Sequence, residues 1–567
     1  MTGTYRLLEE RWIPVRRRDG SLDWIRPAQI VERDNPPLRI ASPRPDFDAA
    51  LTQILIGLVQ TTMPPESTFA WRAAFDKPPS VEQLEAAFEP LHPAFFVDGD
   101  GPRFFQDLTL TPEEASDTPA VSSLLIETAN AELFVKEGTV RSLSYPAAAM
   151  ALATMQLNAP SGGRGHRTSM RGGGPLTTLI LGDDLWQTTW LNIIPTTSLA
   201  NLGNASLTGL QHTFPWLAPT RTSENDRATT LDDVHPAQMY WSMPRRFRLV
   251  IDPAERGRCD ILGLDDVPVV RRYLTRHLGV KYEGFRHPLT PYRDMKAGQP
   301  PNPKKGQPDG LPYREWPQLA LAAEGGNPAE VVRLYYQEKR FTKQRERRLW
   351  VSGFDVDNMK ARCWYEHETP LFDVDPSLLS EMSQRVAQLV DASEDVRKTL
   401  ARQVIAATKR RADDVKDLWS KMEVVAASHG FWARTEPAFF DSVAKIRALL
   451  ENEPDAKDPA DEWLRTLHEA ALAEFDASPH LNAAFGDGDV KRVVMARDEL
   501  SKFTHPRGTR MRKLVGLPPL EKEAVTKGRA AKRAPKGTTR KSTKKPSTDT
   551  GTQNDKEASD VAANGAE

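Results

Sequence analysis

Between positions 162 and 174, two glycine clusters enclose a basic segment. The first is Gly162, Gly163 and Gly165; the second is Gly172, Gly173 and Gly174; between and among them stand Arg164, His166, Arg167 and Arg171. Glycine lets the backbone take positive φ and lets a second backbone approach closely. Successive backbone N–H groups in such a loop form a concave anion site, and neighbouring arginines favour phosphate as the anion. The chemistry on offer is recognition of a phosphate backbone. The same residues also fit a plain surface loop between two core elements, and glycine spacing alone does not separate the two.

Residue types suited to bond breaking are present but not in working patterns. Eleven histidines are scattered, with no HExxH or paired ligand spacing. There is no GxxxxGK[ST] phosphate loop and no GxSxG nucleophile turn. Asp183 and Asp184, like Asp232 and Asp233, are adjacent, and neighbours on a strand point to opposite faces. A nuclease built from dispersed carboxylates is the enzymatic reading left open, and the expectation is that the chain is not an enzyme.

Composition narrows the class. The chain has 567 residues and 39% hydrophobic content, enough for more than one domain and a sizeable core. A net charge of -1 gives no whole-chain argument for nucleic acid. Two cysteines, Cys259 and Cys363, are too few for a disulfide framework or a thiolate zinc site. The N-terminal stretch lacks the apolar core of a signal peptide, and no run is long enough to span a membrane. These features lead us to expect a soluble, cytoplasmic protein.

The elements that must position the glycine segment are legible in part. Apolar stretches 12–15 and 22–25 flank Arg18-Asp19-Gly20 and predict a β-hairpin. Leu51, Ile54, Leu55 and Leu58 recur at helical spacing over 46–60. Segment 92–105 reads as loop with short strands. Residues 147–157 read as an Ala-rich helix, and 176–181 as a strand directly after the second glycine cluster. Segment 300–317, rich in Pro, Gly and Lys, reads as an exposed loop. Residues 349–367 read as a second hairpin, with Asp357 and Asn358 at its tip, because Asp and Asn tolerate turn conformations.

From 376 onward the pattern is amphipathic helix. One stripe runs from Leu378 through Met382, Val386 and Leu389 to Val404. Val415, Leu418, Trp419 and Met422 suggest a second helix; Phe439, Val443 and Ile446 a third, with Pro437 as punctuation; Trp463, Leu464 and Leu467 a fourth. The fold class is therefore α+β: a mixed N-terminal domain with irregular loops over 1–370, a four-helix bundle over 371–516, and a tail over 517–567. That tail loses apolar content and reads as disordered. Its basic first half serves either nonspecific attraction to nucleic acid or solubility.

Four stretches resemble the large subunit of type I-E CRISPR Cascade, the CasA family. They are LLEERWIPV at 7–15, GGRGHRTSMRGGGPLTTLILGDDLWQTTWLNII from Gly162, SMPRRFRL at 242–249 and YEGFRHPLTPYR at 282–293. They occur in family order and, with the helical region, cover roughly 5–515. The resemblance implies a non-catalytic subunit of an RNA-guided complex, with no cofactor and no metal. Its partners would be double-stranded target DNA, the CRISPR guide RNA, other Cascade subunits and a separate helicase-nuclease that cuts.

The resemblance also implies roles. Gly162, Gly163 and Gly165 would let the loop backbone enter the minor groove beside the protospacer-adjacent motif. A lysine finger would follow HPLTPYR: Lys296, with Lys304 and Lys305 as rivals. Asp357 and Asn358 would form a wedge that starts strand separation; family members can carry glutamine where Asn358 stands. Phe134 falls where an aromatic anchor meets the guide RNA, and it fits equally a residue that packs in the core. Lys409, Arg410 and Arg411 form a cationic run able to hold a DNA strand, or simply a solvated helix face. Some members carry a zinc knuckle near 259. Here GRCDILG keeps only Cys259, so no structural zinc is expected.

Overall fold

The computed structural model describes residues 4–128, 138–163, 165–293, 299, 301–308, 310–321, 326–340, 347–357, 359–408, 418–478 and 490–520. Among them the chain is an α+β protein of helices and small antiparallel sheets. The predicted N-terminal hairpin forms: Ile13–Arg17 pairs with Leu22–Ile25 on one side and with Pro37–Ile40 on the other. Alternation puts Ile13, Val15 and Ile25 in the core.

The helix expected over 46–60 runs Pro45–Thr62. A proline in its first turn and the carboxylates Asp46 and Asp48 favour its start. Leu51, Ile54, Leu55 and Leu58 are buried, and so are Ala50, Ile56 and Val59. A helix apolar all round belongs inside a core. Each buried leucine contributes roughly 1.5–3 kcal/mol. It packs on the helix Tyr145–Asn158, whose alanines permit close approach. An aromatic layer covers this pair: Phe105 and Trp216 have ring centroids 4.6 Å apart, Phe214 and Trp241 5.1 Å. Segment 92–105 therefore contributes core, since Phe95, Phe104 and Phe105 are buried.

One sheet positions the site. Its strand order is Lys360–Leu371, Arg347–Asp357, Thr177–Leu181. Leu349 faces Ile180 across one pair, and the hairpin closes with Asp357 opposite Lys360. The strand after the second glycine cluster thus hydrogen-bonds to the hairpin, and one frame carries both.

The helical region differs from its sequence reading in detail. Leu379–Thr408 is one helix of 30 residues, and Leu418–Leu450 is one of 33 residues with Pro437 inside it. The second and third predicted helices are therefore one. Interior proline costs about 3 kcal/mol, but Phe431, Trp432, Phe439 and Val443 are buried on both sides of it, and that packing holds the helix continuous. The predicted fourth helix, Ala460–Ala477, is third in the bundle, and Val490–Thr504 completes it.

Segment 300–317 is not an exposed loop throughout. Lys304, Gly306 and Tyr313 are buried. Tyr313 stacks on Phe439 with centroids 4.3 Å apart, and its hydroxyl lies 3.0 Å from Thr435 Oγ1. Trp316 Nε1 donates to Pro370 O at 2.9 Å. The Tyr313 contacts tie the α+β part to the bundle, and the chain up to Pro519 forms one compact unit. No helix among the described residues is long and apolar enough to cross a membrane. The expected disordered tail lies outside the described residues from position 521.

Candidate nucleic-acid interface

The first glycine cluster forms a tight loop. His166 N donates to Gly163 O at 2.7 Å, and Gly162 N to His166 O at 3.3 Å. Gly163 has φ +65 and Gly165 φ +78; a residue with a Cβ adopts that region only at a cost. Beneath the loop lies Arg245, from the SMPRRFRL stretch, buried and donating to Pro160 O. Gly165 O accepts from Leu278 N at 3.0 Å.

The second cluster serves the frame. A Cβ on Gly174 would meet Phe354 O at 2.6 Å and Val356 Cγ2 at 2.9 Å. Its missing side chain lets the chain run against the first hairpin strand. Loop and hairpin meet again at the far end: a Cβ on Gly163 would lie 3.7 Å from Met359 Sδ. Met359 is exposed and has φ +68 in the hairpin turn. Sequence reasoning missed it, because a methionine in a turn carries no signal of its own.

Asp357 is exposed near the tip and pairs with Arg362 Nη1 at 3.2 Å. Arg362 also grips the buried Asp355 carboxylate through two contacts of 2.9 and 2.8 Å. With Phe354 against Trp364, centroids 4.8 Å apart, this clamp stiffens the hairpin below its turn. Asn358 lies outside the described residues.

The cations sort differently from their sequence reading. Arg171 is buried, donating to Thr177 Oγ1 at 2.9 Å and to Leu157 O at 3.1 Å. It braces the loop and does not face an anion. His166 Nε2 lies 3.2 Å from His277 Nδ1. Burial, then the Arg245 charge and His277, push its imidazole down to about 4, so it is neutral at pH 7. Lys304 is buried, bonded to Gln318 and 3.6 Å from Glu315; such a lysine cannot act as a finger. Lys305 is exposed and bridges by its backbone to Pro175.

Arg164, Lys296, Phe134, Lys409, Arg410 and Arg411 lie outside the described residues. A cleft of about 370 Å³ opens beside the loop, lined by Gly163, Gly165, Arg167 and Lys281 among others. Lys281 was also missed, although it stands directly before the YEG of the fourth matching stretch.

Three of these four adjacent carboxylates have structural work. Asp184 caps the helix Leu185–Leu191 by accepting from Gln187 N at 2.8 Å. Asp183 lies 3.5 Å from Arg347. Asp233 accepts from Thr230 N at 2.9 Å and pairs with Arg221 at 2.6 Å. Cys259 is buried, its Sγ accepting from Leu262 N at 3.4 Å. Among the described residues no group of three or more His, Cys, Asp or Glu is placed to hold a metal ion.

A mixed α+β part joined to a long-helix bundle is a fold seen in solved structures. The chain is similar to CasA of Thermus thermophilus, with a TM-score of 0.66 at 18% identity, covering 88% of this chain and 99% of that one. It is similar to Cse1 of Acidimicrobium ferrooxidans, with a TM-score of 0.64 at 18% identity, covering 90% and 98%. A chain of a CRISPR RNA-guided surveillance complex matches with a TM-score of 0.62 at 16% identity, covering 89% and 100%. At these identities the likeness shows the fold. The sequence profile of the CRISPR-associated protein Cse1 matches residues 7–473, and the chain belongs to that family.

Proposed function

We propose that this chain is the large subunit of a type I-E CRISPR Cascade surveillance complex. In this reading it is not an enzyme. It recognises the protospacer-adjacent motif in double-stranded DNA, starts strand separation for the guide RNA, and recruits a separate helicase-nuclease. The observation that carries the DNA-reading role is the proximity of Gly163 and Met359, which places a half-buried glycine of the loop beside the exposed methionine of a stiffened hairpin turn. The glycine backbone enters the minor groove, where readout separates mainly A·T from G·C and recognition is permissive. The turn, with Asn358, wedges beneath the motif. DNA stacking averages about 1.4 kcal/mol per step, so opening a few steps costs a few kcal/mol, and guide pairing then supplies specificity.

Phe134 contacts the guide RNA in this reading, Lys296 supplies the finger, and Lys409, Arg410 and Arg411 hold a strand. The domain division remains 1–370 for reading and 371–516 for the bundle. The test is binding by the assembled complex to duplexes with and without the motif. Changes to the glycine loop and the hairpin turn should abolish motif-dependent binding with assembly intact. Intact duplex binding in both sets of variants would leave only a scaffold that binds RNA and protein. Cleavage of plasmid by the pure chain with Mg²⁺ or Mn²⁺ would overturn the non-enzymatic reading.

A further inference from the structure

The cleft beside the glycine loop carries a charge arrangement that the motif-reading proposal does not use. Arg167 is anchored through Nε to Ser223 Oγ at 2.9 Å, and its Nη2 lies 3.8 Å from the Asp226 carboxylate. Lys281 Nζ, from the opposite wall, lies 2.9 Å from the same carboxylate oxygen and 2.8 Å from Glu283. One carboxylate therefore lies between two cations that line the cleft. Asp226 itself is exposed, whereas Arg167 and Lys281 are half-buried. The Lys281 hydrogen bond and charge hold the Asp226 carboxyl below its usual range.

The wall positions are fixed by backbone. Ser223 N donates to Leu278 O at 3.1 Å, Thr229 N to Lys281 O at 2.7 Å, and Glu283 N to Thr229 O at 3.0 Å. Asn225 and Asp226 sit at φ +53 and +58, a region that Asn and Asp tolerate better than most residues. The short segment 223–226 is thus turned so that the Asp226 carboxylate meets Lys281 and lies near Arg167, two residues that line the cleft.

Among the described residues here, the cations Arg167 and Lys281 meet the carboxylates Asp226 and Glu283, so each of these charges already has a partner before a duplex arrives. Exposed ion pairs contribute little to stability, and a phosphate seated by the loop can take the place of Asp226 as partner of both cations. We propose that this cleft is a DNA backbone-phosphate subsite and that Asp226 is its resident counter-charge, a specificity-determining residue that suppresses binding of duplexes lacking the motif. The phosphate reaches both cations only when the groove is seated on the glycine loop. The inference rests on the motif-reading proposal.

The experiment measures equilibrium binding of the assembled complex to motif-bearing and motif-free duplexes across a salt series. D226N should raise affinity for both, by roughly tenfold at low salt, steepen the slope of log K against log salt by about one, and reduce the ratio between the two duplexes. R167Q with K281Q should lower affinity and make the slope shallower by up to about two; R167K with K281R, which keeps the charge, should restore it.

An unchanged slope in R167Q with K281Q, or a loss of affinity in D226N, overturns the subsite. So does an effect confined to guide RNA loading, which would assign the cations to RNA. If the wild type shows no motif preference yet the slope falls in R167Q with K281Q, the phosphate site stands and the motif-reading proposal fails. If the preference is present and the slope is unmoved, only the subsite fails.

Discussion

Gly163 and Met359 approach so closely that a single carbon added to Gly163 would lie 3.7 Å from the Met359 sulfur. The two residues are far apart in sequence, and both take left-handed backbone conformations. The half-buried Gly163 and the exposed Met359 therefore bring the two turns side by side.

Gly163→Asp should abolish duplex binding while the fold persists. At φ +65 a non-glycine residue costs about 1–2 kcal/mol, least for Asn and Asp, so backbone strain is small and added negative charge near phosphates dominates. Gly163→Asn, equal in size and neutral, should lose less. Gel-shift affinity and a thermal melt on both variants check this; wild-type affinity in Gly163→Asp would remove the loop from the interface.

Among the lysines, Lys296→Ala should weaken motif-dependent binding with assembly unchanged. Lys304→Ala should act on stability. It leaves Glu315 and Gln318 without the ammonium they meet, a loss of about 1–3 kcal/mol. Denaturant unfolding and duplex titration on each variant distinguish the two roles. A binding defect in Lys305→Ala with none in Lys296→Ala would move the finger to Lys305.

His166 should titrate near pH 4. Its folded value is depressed below the unfolded value of about 6.5, so the proton binds the unfolded chain more readily. Stability from this group is present above about pH 6.5 and falls as pH drops toward 4. NMR of the imidazole gives the midpoint directly, and His166→Gln should flatten that part of the stability profile. A neutral ring adds no phosphate affinity, so the same variant should leave the salt slope at pH 7 unchanged. A midpoint above 6 would contradict the burial that produces this behaviour.

Asn358→Ala should slow guide–target hybrid formation on intact duplex and leave the salt slope of docking nearly unchanged, because an amide adds little phosphate affinity. A duplex already mismatched at its first base pairs needs no wedge and should rescue the variant. Met359→Ala, at the same turn, should show the same pattern. Equal defects on paired and pre-opened duplexes would take the wedge role away from this turn.

By itself the sequence determined the periodic elements and the turn chemistry. The apolar repeat of 46–60, the alternation at 12–25 and the Asp/Asn turn at 357–358 each lie within one local segment, and local spacing is what hydrophobic patterning reports. The glycine clusters were equally visible, because glycine marks places where a side chain does not fit. Tertiary structure alone decided which side chains face solvent. Arg171 and Lys304 look like surface cations in sequence, yet packing buries both. Lys281 and Arg167 share Asp226 only because the backbone bonds Thr229–Lys281 and Ser223–Leu278 bring distant segments to one cleft. Pro437 reads as a helix end, and burial of the aromatic residues around it overrides that local preference. Burial and charge pairing are properties of contacts between remote positions, and linear spacing does not encode them.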